Sequence, residues 1–182
     1  MASELIVQTI QGPSSGANAN KVLIPSGHTL DVSGGTLVPS AGQVIQQVYT
    51  VGTGGGASTT SSTAVSTGLS VSITPKYANS KLKVTLLSGR NYQGSSSSQM
   101  DIYLYRDGSS ISQRTRWTSV YNNSASSIHY GSWSCVEYLD ASSTASTTFE
   151  IYFRTSSGTS YFNNAADNSD VQPWLIVEEI AQ

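Results

Sequence analysis

The chain has 182 residues with 9 Lys or Arg and 11 Asp or Glu, a formal net charge of −2. So few cations cannot track a phosphate backbone, which excludes nucleic acid and anionic membrane surfaces as natural partners. Ser, Thr, Asn and Gly make up the low charge, yet 10 Tyr, 3 Trp and 3 Phe among Val, Ile and Thr argue for β-sheet and against disorder.

The N-terminal residues Met1, Ala2, Ser3 and Glu4 lack the basic start and apolar run of a signal peptide. No apolar stretch approaches the ~20 residues that span a bilayer. The expectation is a protein made in a cytoplasm, without membrane insertion. The single cysteine, Cys135, permits no intrachain disulfide and reads as a small hydrophobe in a strand. No window carries a 3.6-residue apolar period, so helix is expected to be minimal.

Residues 1–20 open with Glu4, Leu5, Ile6, Val7, Gln8, Thr9 and Ile10, of which Leu5, Val7 and Ile10 suit one side of a strand. A terminal β-rich segment without a partner is an edge that proteins cover, so this segment is expected to dock on a larger structure. Residues 21–46, KVLIPSGHTLDVSGGTLVPSAGQVIQ, set apolar pairs between Pro-, Ser- and Gly-rich breaks. Each pair has the spacing of a very short strand and each break that of a turn. None is long enough to build a sheet with its own core. The missing partners are expected to be other copies of the chain, which Val22, Ile24, Leu30, Val32 and Leu37 would join.

From residue 47 to 182 the pattern becomes that of one domain. Val48, Tyr49, Thr50 and Val51 read as a strand, and GTGGGASTTSST over residues 52–63 as a long flexible loop. Alternation then predicts strands around Leu69, Val71 and Ile73, around Leu82, Val84 and Leu86, and around Met100, Ile102 and Leu104. Asp107 and Gly108 form a two-residue hairpin signal, with a returning strand expected from Ile111 to Trp117. Residues 127–139 are the longest stretch. Phe149, Ile151 and Phe153 alternate with polar partners, and residues 174–180 close the run. Seven or more short strands with turns between them predict an all-β sandwich or jelly roll. The expected core is Leu69, Val71, Ile73, Leu82, Val84, Leu86, Ile102, Leu104, Val136, Phe149, Ile151, Phe153, Leu175 and Val177.

NKVLIPSGHTLDVSGGTLVPSAGQVIQ resembles the segment that leads into the C-terminal domain of tail-fibre and tail-tip proteins of tailed bacteriophages, those of marine and cyanobacterial phages in particular. Val48 and Tyr49, the Ser/Thr loop, the runs 67–75 and 80–84, residues 138–140 and the ending Glu179, Ile180 and Ala181 extend the resemblance over residues 20–182. It implies a homotrimer: residues 21–46 would intertwine three chains ahead of a β-sandwich tip that touches the host surface. Its location would be the virion tail, with residues 1–20 bound to another tail or baseplate protein. Family members often carry long shafts before the shared segment; here that segment starts about 20 residues in, as in a short fibre or tip protein.

No residue pattern carries catalysis. His28 and His129 are far apart in sequence, no nucleophile elbow surrounds any Ser, and Glu178 and Glu179 are adjacent and so point to opposite faces of a strand. Glycosidic cleavage needs two carboxylates roughly 5–10 Å apart across a cleft, and nothing arranges them. The expectation is a non-enzyme without cofactor or metal. Binding chemistry is better represented. Arg114, Arg116, Trp117, Tyr121, Asn122 and Asn123 form one polar-aromatic cluster, and Tyr161, Phe162, Asn163 and Asn164 another, both expected on loops. Aromatic faces meet the apolar side of a sugar ring while Asn and Arg take its hydroxyls or an anionic group. The receptor-binding candidates are therefore Arg114, Arg116, Tyr121, Asn122, Asn123, Tyr161, Asn163 and Asn164, facing a host glycan or protein. The alternatives are a structural baseplate or capsid-decoration component, in which these clusters would be buried against neighbours, and a secreted carbohydrate-binding lectin.

Overall fold

A computed structural model describes residues 10–17, 19, 21–29, 38–52, 56–111, 116–123, 129–163 and 172–182. The chain divides into two units, Met1–Val38 and Pro39–Gln182. The first has no strand among its described residues. Pro25, Ser26, Gly27 and His28 make a β-turn, closed by the His28 amide donating to the Pro25 carbonyl at 3.1 Å. Gly27 takes φ of 81°, as the third position of a type II turn requires. Val22 and Ile24 are 55% and 44% exposed and lie outside any strand of the single chain. An apolar pair next to a proline turn has no ladder to hold it extended. Leu30, Val32 and Leu37 lie outside the described residues.

The second unit is antiparallel β throughout. Its strands are β1 (Val44–Val51), β2 (Ala57–Thr59), β3 (Val65–Ile73), β4 (Lys81–Leu87), β5 (Asn91–Gln93), β6 (Ser98–Arg106), β7 (Ser109–Ser110), β8 (Thr118–Asn122), β9 (His129–Gly131), β10 (Ser134–Asp140), β11 (Thr147–Thr155), β12 (Ser160–Phe162) and β13 (Trp174–Ile180). A first sheet runs β1-β13-β4-β10. A second runs β3-β11-β6-β7, with β8 also on β6. A small third sheet runs β2-β12-β5-β9. The first two pack face to face. Leu82, Val84, Leu86, Leu175 and Val177 of one meet Leu69, Val71, Ile73, Met100, Ile102, Leu104, Phe149, Ile151 and Phe153 of the other in one core, joined by Phe162 from the third sheet. The all-β sandwich expected from the alternation is the observed fold.

Several local expectations are corrected. Val136 is 46% exposed and is not core; Cys135, Glu137 and Leu139 are the inward residues of β10. An i, i+2 pattern fixes which residues share a face but not which face is inside, and in β10 both faces carry apolar residues. Cys135 is half-buried against the core, and burial pushes its thiol up more than a Thr118 hydrogen bond brings it down. Residues 52–63 are not a plain loop, because Ala57–Thr59 pairs with β12. The stretch 127–139 divides at Ser132 and Trp133 into β9 and β10, which belong to different sheets. The first sheet's leading strand starts at Val44, so residues 44–46 are part of the sandwich.

Two carboxylate anchors, one buried and one exposed, hold the connections. Glu179, 0% exposed, accepts from the amides of Lys76 (2.9 Å) and Tyr77 (3.0 Å), from Ser80 Oγ (2.8 Å) and from Gln46 Nε2 (2.6 Å). It ties the β3–β4 connection to β13 and β1. Burial pushes its carboxyl pKa up, but the hydrogen bonds from Lys76, Ser80, Gln46 and Tyr77 together hold it below the usual value. At the β6–β7 hairpin, Asp107 and Gly108 have φ of 51° and 76°, the two positive values of a type I′ turn. The Asp107 carboxylate accepts from the Thr148 amide and Thr147 Oγ1, both at 2.8 Å, which ties the turn to β11.

Candidate functional site

The outer face of the second sheet carries the densest polar-aromatic arrangement among the described residues. In β6, Met100, Ile102 and Leu104 face the core, so Gln99, Asp101, Tyr103 and Tyr105 face out. In β11 the same alternation turns out Glu150, Tyr152 and Arg154. The register sets Arg154 opposite Asp101, Tyr152 opposite Tyr103 and Glu150 opposite Tyr105. On the other side of β6, β8 sets Ser119 opposite Asp101 and Tyr121 opposite Gln99.

Asp101 faces outward yet is only 3% exposed, because two guanidinium groups cover it. Its Oδ1 accepts from Arg116 Nη1 at 2.9 Å and Gln99 Nε2 at 2.6 Å. Its Oδ2 accepts from Arg154 Nε and Nη2, each at 3.0 Å. The bond to Asp101 stabilises the charged form of Arg154 against burial. The arginine side chains are 42% and 43% exposed, so the carboxylate works from beneath as a pin that fixes both groups at the surface. This end of the face carries one net positive charge.

Tyrosines continue the face. Arg154 lies over the Tyr103 ring at 5.7 Å. The Tyr105 and Tyr152 rings stack with centroids 3.9 Å apart and planes 18° from parallel. Burial, then the Asp101 charge, pushes the Tyr103 hydroxyl pKa up, while Glu150 does the same for Tyr152, so both hydroxyls are neutral donors at neutral pH. Glu150 accepts from Ser66 Oγ and places a carboxylate at the far end of the tyrosine pair. All these groups except Arg116, which stands just before β8, are on strands, which hold geometry better than loops.

Of the residues singled out in the sequence, Arg116 belongs to this face and Tyr121, 55% exposed, lies at its edge. Asn123 is exposed beyond the end of β8. Asn122 is not a loop residue: it ends β8, is 0% exposed and donates to the Gln93 carbonyl at 3.3 Å. Asn163 is likewise buried, 3% exposed, with its amide on Asn91 Oδ1 at 3.2 Å. Both were expected at the surface; the Asn122 side chain instead satisfies a backbone carbonyl, while Asn163 is held by its main-chain N–H, its buried Oδ1 having no hydrogen-bond partner among the described residues. Tyr161 belongs to β12 of the third sheet, its ring 5.0 Å from that of Tyr92. The two clusters therefore lie in different sheets. Arg114 and Asn164 are outside the described residues. Asp101, Tyr103, Tyr105, Tyr152 and Arg154 were missed as site residues. Their outward positions followed from alternation, but their meeting depends on the β6–β11 register.

A cleft of ≈ 480 Å³ opens at one end of the first sheet, flanked by Trp133 and Trp174 with Ser88, Ser132, Ser134 and Gln172 as its polar lining. Trp174 stacks on Tyr49, centroids 5.4 Å apart, and the Trp133 amide donates to Ser88 Oγ at 2.8 Å. Among the described residues no group of His, Cys, Asp and Glu is arranged to hold a metal.

Fold and surface together define a class, an antiparallel β-sandwich with a rigid arginine–tyrosine face. No family model matches the chain, and no curated protein does.

Proposed function

We propose that the protein is a tail-fibre or tail-tip protein of a tailed bacteriophage, a homotrimer that recognises a glycan on the host surface without catalysis. The reading rests on the resemblance of residues 20–182 and on one observation above the others: a buried carboxylate, Asp101, holding Arg116 and Arg154 beside a tyrosine stack on the outer face of a sheet. Guanidinium groups donate in a fixed fork and rings offer apolar faces, the two contacts that a sugar with hydroxyl or carboxylate groups needs. Weak binding at one such face is raised by effective concentration when copies act together. In this reading the N-terminal residues dock on another tail or baseplate protein, and exposed Val22 and Ile24 belong to the contact between chains.

A printed glycan array probed with the labelled full-length chain tests it. The expected outcome is a restricted set of bound glycans, with binding falling about tenfold or more in Arg116→Gln and in Tyr105→Ala, at unchanged melting temperature. Binding untouched by both substitutions would move the receptor site elsewhere. An array without any bound glycan would favour a structural virion component, in which the face lies against neighbouring proteins.

A further inference from the structure

The outer face of the first sheet departs from the usual solvent face of an antiparallel sheet, which is polar. Across its four strands the register lines up Tyr49, Ile176, Thr85 and Val136 in one row and Val51, Trp174, Leu87 and Ser134 in the next, with Thr85 and Ser134 the only polar members. Tyr138 stands in the row beyond. Tyr49 is 59%, Tyr138 58%, Val136 46%, Leu87 43% and Trp174 38% exposed. At roughly 150–250 Å² for each aromatic side chain, the three rings alone leave about 300 Å² uncovered. That already equals the largest apolar patch of many monomers, roughly 300–600 Å², and the aliphatic rows add to it. Stable interfaces take about 800 Å² from each partner, so the band would form the apolar centre of a contact that extends over its polar rim.

The charges around the band identify its occupant. Lys83 pairs with Glu178 at 2.7 Å and Lys81 with Asp140 at 2.6 Å, all four on this face. Among the described residues, every formal charge at the outward positions of these four strands is thus paired within its own sheet. A contact between copies can set one patch against itself, which open like charges would oppose. This face has none, and it offers no open charge to select a charged partner. Aromatic residues at its centre with charges at its rim match the anatomy of protein interfaces. We propose that a second copy of this chain covers the outer face of the first sheet, with Tyr49, Trp174 and Val136 at the centre of the contact. The proposal rests on this sheet alone and is independent of the tail-protein reading.

Light scattering of the full-length chain across a concentration series, with hydroxyl-radical footprinting of the same samples, tests it. The expected mass rises above the 19.2 kDa of one chain. On association the labelling of Tyr49, Tyr138 and Trp174 falls several-fold, while Tyr121 on the other sheet keeps its rate. Val136→Lys should move the association midpoint up about tenfold or more without lowering the melting temperature. Tyr138→Lys serves as a second variant. Three results would overturn the proposal: a single-chain mass throughout, association that leaves the three rings fully labelled, or protection of the rings at single-chain mass, which would make the cover this chain's own.

Discussion

Glu179 is the residue on which local chemistry weighs most. Buried carboxylates are costly unless their oxygens are satisfied, and here two amides, a hydroxyl and a side-chain amide satisfy them. Glu179→Ala leaves those donors facing a void and is expected to cost about 2–4 kcal/mol in urea unfolding at pH 7. The pH dependence follows from the direction of its shift. A carboxyl whose folded pKa lies below its unfolded value of about 4.3 contributes stability above that unfolded value. The contribution is lost as pH falls through the folded value. The gap between wild type and Glu179→Gln should therefore be present at pH 7 and shrink with acidification below about pH 4, read as two unfolding series. Asp101 plays the corresponding part at the surface: it is the counter-charge that lets Arg116 and Arg154 stand side by side. A single aspartate between Met100 and Ile102 gives no sign of this, because Arg116 and Arg154 come from distant positions in the chain.

Turn chemistry and register govern the elements. At the β6–β7 hairpin a Cβ on Gly108 would meet nothing within 4 Å, so Gly108→Ala probes backbone conformation alone. The expected cost is about 1–2 kcal/mol, the price of a left-handed non-glycine residue, measured by thermal unfolding. In β11, by contrast, Phe153 is 0% exposed in the middle of the core. Phe153→Ala is expected to cost about 3–5 kcal/mol. The Asp-Gly signal made the turn legible and the alternation of Phe149, Ile151 and Phe153 made β11 legible, but the returning strand is Ser109–Ser110, and Ile111, Arg116 and Trp117, expected in it, lie outside strands. In β10 Val136 was wrongly counted in the core while Cys135 was read correctly as a small hydrophobe, because Cys135 and Leu139 compete with Val136 and Tyr138 for the inside. Its neighbour β4 has Leu82, Val84 and Leu86 on the core side, and pairing with it decided the matter.

For the molecule as a whole, the described core draws every side chain from the second unit. A chain beginning at Pro39 is therefore expected to fold with one cooperative transition, its melting temperature within a few degrees of the full-length value, by calorimetry. Loss of the transition would assign the first 38 residues a share in the sandwich itself. The two broad faces divide the surface chemistry. The second sheet turns out fixed arginines and tyrosines, suited to a small polar ligand, while the first turns out an uncharged apolar band, suited to protein.

The amino-acid sequence by itself determined the secondary-structure class, most of the core and the hairpin at Asp107, since period-2 alternation and turn residues act over a few neighbours. Tertiary structure alone decided which residues meet. Arg116 and Arg154 converge on Asp101, and Tyr49, Trp174 and Val136 share a band, only because particular strands pair in particular registers. Strand pairing joins residues more than 100 positions apart, Tyr49 with Ile176 among them, and no local pattern encodes that choice; burial of the two inner faces against each other does.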